Sequence, residues 1–234
     1  MTTIALLLLA DGRLPDGAQA HSGGLESAVG KGRVRDADTL RAFLLGRLAT
    51  VGLTTAAFAA ATALELSGGV VVGEGGFQTQ EAAQLDAELD ARIPSPAQRE
   101  TSRQLGRGLI RAVRAGWPSV VLDAADALHP DGPHQPMAFG AAAAVAGLDP
   151  ASTAAAAALA AITGPARVAT RLLRLDEHAV TAVLSSLAGN VEQVAVAAVK
   201  AARGPVEDLP ALGAPLLEVS AEHHHAWEVR LFAS

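Results

Sequence analysis

Apolar and polar residues alternate along this chain in blocks punctuated by Pro, Gly and capping residues. An apolar run from Ile4 to Ala10 stops at a loop containing Pro15 and Gly17, and helical spacing resumes at Leu25. From Asp36 to Leu66 a capping Asp opens a long helix whose apolar positions Leu40, Phe43, Leu44, Leu48, Val51 and Leu53 fall on one face. Thr54 to Ala63 continues it in small residues, which predicts close helix contacts. Ser67 to Gly76 reads as a glycine-rich loop, and residues 78–92 as an acidic amphipathic helix ended by Pro94.

Ser95-Pro96 supplies a cap and a first-turn proline, and Trp117-Pro118 closes the helix they start. Three prolines between Leu128 and Pro136 mark an internal linker, flanked by His129 and His134, which are expected to be solvent-exposed. An alanine-rich helix follows from Gln135 to Ala146 and ends at Gly147. Asp149-Pro150 starts the next, expected to stop near Thr163, with Pro165 beginning a further short helix. Asp176 caps a long helix through Ala202, before Gly204-Pro205, Pro210 and Pro215 break the chain. The pattern predicts an all-α fold, a single compact multi-helix domain over residues 1–234, because the helices beside the linker are too apolar to stand alone.

Composition narrows the partners. Half of the residues are hydrophobic and the net charge is -6, with Lys31 and Lys200 the only lysines, so no basic tract exists to follow nucleic acid. The absence of cysteine removes disulfides and thiolate metal sites, and a reducing cytoplasm suits such a chain. Ile4–Ala10 has no basic residue before it and acidic residues directly after it, which argues against a signal peptide. The alanine-rich stretches at 141–148 and 154–162 fall short of the roughly 18 apolar residues a membrane span needs.

Motifs of catalysis are incomplete. Gly73-Glu74-Gly75 lacks the third glycine of a dinucleotide loop, with Gln at position 78, and Gly30-Lys31-Gly32 lacks both the leading glycine and the hydroxyl of a phosphate loop. Ser22, in Ala20-His21-Ser22-Gly23-Gly24, suits a helix cap better than a nucleophile. His223, His224 and His225 are consecutive, so on a helix they point about 100° apart and do not converge on one ion. No metal-ligating set, cofactor site or catalytic residue is expected.

Three separated segments carry a family resemblance. Leu9-Ala10-Asp11, then Pro15-x-Gly17, then His21-Ser22-x-Gly24-Leu25-Glu26 resembles the opening of the urease accessory protein UreF family. Arg99 to Arg111 is similar to that family's central helix, with Arg99, Arg103, Arg107 and Arg111 at i, i+4 spacing and Gly106 signalling a close backbone contact. Such an arginine stripe is either solvated or docked against something negative. Arg230-Leu231-Phe232-Ala233-Ser234 resembles the family's terminal R-L-[FY]-x-S, and Arg171 falls where relatives carry a basic residue. Gln19, Ala97, His225 and Glu228 depart from the pattern.

The resemblance implies a non-enzymatic helical chaperone that forms a homodimer and joins the accessory protein UreD (also called UreH), the GTPase UreG and apo-urease in delivering nickel. It implies a recognition loop at 11–26 and a docking tail at 223–234. Asp11, Pro15, Gly17, His21, Ser22, Gly24, Leu25, Glu26, Arg99, Arg103, Gly106, Arg171, Arg230, Leu231, Phe232 and Ser234 would be its partner-binding residues. Arg230 would reach Glu26 or loop carbonyls while Leu231 and Phe232 anchor the tail. Two rival readings remain, a helical metal-dependent hydrolase using His21, Glu26 and His223 to His225, and a helical dimerisation module with an unrelated partner.

Overall fold

The computed structural model describes residues 2–11, 14–15, 17–67, 80–225 and 231–232. Two short helices come first, α1 (Thr2–Ala10) and α2 (Leu25–Gly30). Asp36 then caps α3 (Ala37–Arg47) through a reciprocal pair, its Oδ1 accepting the Thr39 N–H at 2.8 Å while Thr39 Oγ1 accepts the Asp36 N–H at 3.1 Å. A π turn (Leu48–Gly52) carries the rod without a break into α4 (Leu53–Ser67). The expected glycine-rich loop after Ser67 lies outside the described residues.

There follow α5 (Gln80–Ala91), α6 (Pro96–Gly116), α7 (Val120–Asp126), α8 (Gln135–Val145), α9 (Pro150–Leu172), α10 (Glu177–Ser186), α11 (Ala188–Ala202) and α12 (Pro215–His225). No β-strand occurs among the described residues, so the fold is all-α. The alanine positions work as predicted. Ala56 to Ala61 are buried where α4 crosses α8, α9 and α11. The approach to α8 is close enough that a Cβ on Gly140 would sit 2.4 Å from the Ala59 carbonyl oxygen. Ala37–Leu66, 30 residues, has the length and hydropathy to cross a membrane, but in this fold it is the helix around which the others pack.

Three element expectations are corrected. First, α9 runs straight through Pro165. Gly164 has no Cβ to meet the proline ring, and the Ala161 carbonyl that Pro165 leaves without a helical donor accepts Arg47 Nε at 2.9 Å. Second, the helix predicted from Asp176 to Ala202 is two helices bent by 45° at the buried Leu187, and the Asp176 side chain makes no capping bond. Third, the proline-rich stretch is no solvated linker: Gly132, Pro133 and His134 are buried against α6. A Cβ on Gly106 would meet the Pro133 carbonyl oxygen at 2.0 Å, the close backbone contact that a mid-helix glycine foretold.

Candidate functional site: a carboxylate hub joining loop and tail

Gly23 (φ 58) and Gly24 (φ 87) hold left-handed backbone that other residues avoid, so the chain turns sharply and enters α2 at Leu25. The Leu25 N–H donates to the Ser22 carbonyl at 3.2 Å. The cap expected from the Ser22 side chain is absent: its hydroxyl is buried and bonds to none of the described groups, and the turn relies on the Ser22 carbonyl instead. Leu25 is fully buried, while Asp11, Pro15 and Gly17 lie on the exposed run before the turn.

One residue further on, Glu26 is 7 % exposed in the first turn of α2, where the helix dipole favours a carboxylate. Its Oε1 accepts the Leu231 N–H at 2.9 Å, and its Oε2 accepts the Phe232 N–H at 3.0 Å. His224 Nε2, on α12, lies 3.0 Å from the same Oε2. A single carboxylate thus gathers three polar groups from residues 198 to 206 positions away, each charge-assisted bond worth on the order of 1.5–3 kcal/mol.

The same helix is fastened at a second point. Glu222 Oε1 accepts the Ser95 hydroxyl and, at 3.0 Å, the Ala97 N–H at the start of α6, and these two bonds hold its carboxyl below the usual carboxylate range. Ala97, one of the departures from the family pattern, therefore contributes through its backbone. His224 turns inward at 1 % exposure, whereas His223 and His225 face solvent, as consecutive helical residues must diverge. Among the described residues no group of three or more His, Asp or Glu side chains converges to hold a metal. Of the residues that a hydrolase would use, Glu26 and His224 are bonded to each other, and Glu26 also accepts two backbone N–H groups.

The expected anchors divide. Phe232 packs on the core, but Leu231 is 75 % exposed and holds through its backbone amide, which corrects the expectation that both side chains are buried. Arg230 and Ser234 lie outside the described residues. Arg171 is exposed on α9, and His21 is half-buried beside the turn.

The arginine stripe of α6 is corrected at its centre. Arg103 is 6 % exposed and forks onto both carboxylate oxygens of Asp86, at 3.1 and 3.0 Å, while reaching Asp90 Oδ1 at 3.0 Å and the Gly132 carbonyl at 2.9 Å. The negative group that docks on the stripe comes from this chain's own α5. Burial opposes the Arg103 charge, but the bonds and charges of Asp86 and Asp90 raise its pKa overall. Arg99 donates to the Ile93 carbonyl at 2.7 Å, and Arg111 remains exposed. Arg103 and Gly106 are therefore internal, not surface, residues.

His134, expected in solvent, is 0 % exposed. Its Nε2 lies 3.1 Å from Asp90 Oδ1 and its Nδ1 3.1 Å from the Ser102 hydroxyl, which also accepts the Gln135 N–H at 3.2 Å. Burial and the Arg103 charge push its pKa down. Spacing alone did not reveal this network, although Asp86 and Asp90 stand at i, i+4 opposite the similarly spaced arginines.

The fold and this hub define an all-α protein in which Glu26 of the N-terminal region is bonded to His224, Leu231 and Phe232 of the C-terminal region. The profile of the UreF family matches residues 34–188. Proteins named urease accessory protein UreF align over the full length of both chains, at 42 % identity in Mycolicibacterium vanbaalenii, 43 % in Mycobacterium sp. (strain JLS) and 40 % in Mycobacterium tuberculosis (strain H37Rv). The chain belongs to the UreF family.

Proposed function

We propose that this protein is a non-enzymatic scaffold of urease maturation that presents the loop at 11–26 and the C-terminal segment as one recognition surface. Its partners in this reading are UreD (UreH), the GTPase UreG and apo-urease. It acts in the cytoplasm as a homodimer and modulates GTP-dependent nickel delivery without holding the ion as a cofactor. The observation that carries the reading is the Glu26 carboxylate, which holds the Leu231 and Phe232 amides beside the loop. Family membership adds the setting. Exposed apolar side chains on both terminal helices, Ile4, Leu7 and Leu8 on α1 with Leu216 and Val219 on α12, supply contact area for partners.

Deleting residues 230–234, or replacing Glu26→Gln, tests it. Helix content by circular dichroism stays near that of the intact chain, while co-purification with the UreD-type and UreG-type proteins falls at least about tenfold, a loss of about 1.4 kcal/mol of assembly free energy. Assembly and urease activation equal to the intact chain would overturn the reading.

A further inference from the structure

Arg47 ends α3 where the π turn begins, and both of its described hydrogen bonds go to backbone carbonyls. Nε donates to Ala161 O and Nη1 to Gly23 O, each at 2.9 Å. A half-buried guanidinium held by carbonyls is unfavourably placed, and burial lowers its pKa to about 10, so it stays charged at neutral pH. The reason lies in the two acceptors. Pro165 has no N–H to give Ala161, so Arg47 satisfies a carbonyl that the helix abandons.

Gly23 is pressed against both partners. A Cβ there would lie 2.9 Å from Pro165 Cγ and 3.3 Å from Arg47 Cζ. Proline ring, guanidinium and glycine thus form one three-part contact, three residues before the carboxylate of Glu26. We propose that Arg47 is a positioning residue for partner recognition, fastening the Ser22–Gly24 turn onto the proline step of α9 and so setting where α2 presents Glu26. The inference rests on the reading of loop and C-terminal segment as the recognition surface.

The test uses the full chain. With Arg47→Gln, hydrogen exchange at the Leu25 and Ala28 amides, which donate to Ser22 O and Gly24 O, accelerates at least about tenfold while amides in α8 keep their rates. Arg47→Lys, retaining the charge without the fork, falls between the two, and serves alone if Arg47→Gln does not fold. Pro165→Ala gives Ala161 a helical donor, so Arg47→Gln lowers the unfolding midpoint less in that background than in the natural chain. Co-purification with the UreD-type and UreG-type proteins falls with the loosened turn. Unchanged exchange at Leu25 and Ala28, equal midpoint losses in both backgrounds, or a loosened turn with full assembly would each overturn the proposal. Failure of the underlying reading shows separately, because deletion of 230–234 would then also leave assembly intact.

Discussion

His134 is the residue whose chemistry most depends on its surroundings. It is enclosed by Asp86 and Asp90 from α5, by Ser102 and Arg103 from α6 and by the turn that carries it. Its folded pKa lies below the ordinary 6.5, so as pH falls through that value the unfolded chain takes up a proton that the folded chain refuses. The contribution of His134 to stability is therefore present above its ordinary 6.5 and declines as pH falls below that value. Burial would raise Asp90, but the hydrogen bonds from Arg103 and His134 hold it below 3.8, and its contribution disappears at still lower pH. Urea midpoints measured from pH 7.5 to 5 should fall, and His134→Gln should flatten that slope. An unaltered slope in the variant would place the pH dependence elsewhere.

At the scale of elements, caps and glycines decided which boundaries could be read from sequence. Asp36, Ser95 and Asp149 start helices where predicted, each side chain accepting the N–H three residues on. Pro165 misleads because the carbonyl it orphans finds another donor, and that donor is 114 positions away in sequence. The inward turn of His134 was equally illegible, since it depends on carboxylates from α5. Ser95 has a double duty, capping α6 through the Gln98 N–H at 3.2 Å and donating to Glu222 of α12. Ser95→Ala should cost about 1–2 kcal/mol in chemical denaturation. It should also raise exchange of α12 amides beyond those of α6, and equal effects on both helices would show that the α12 link contributes nothing.

For the whole molecule, the resemblance read from three short motifs agrees with full-length relatives, and two of the three segments prove to be in contact. The third, the arginine stripe, is spent largely on internal cohesion. The alanine-rich faces are likewise packed within the chain, at Ala56 to Ala61, Ala141 to Ala143 and Ala156 to Ala158. The proposed homodimer would then use other surface, and we take the exposed Ile4, Leu7 and Leu8 of α1 as its candidate contact, each worth roughly 1.5–3 kcal/mol if fully covered. Sedimentation at micromolar concentration should give a dimer that Leu7→Glu weakens. A monomer throughout would remove self-association from the proposed mechanism.

The span between Glu26 and Phe232 also sets an order of events during synthesis. A chain made from its N-terminus places Glu26 outside the ribosome long before its distant partners, 205 and 206 positions later, have been joined to it. The helices that pack around α4 can assemble in the interval, because their residues precede 231. A product stopped short of that point would own a folded body and an unclosed loop. The carboxylate thus distinguishes chains that carry residues 231 and 232 from chains that lack them, and only the former would present the surface proposed above.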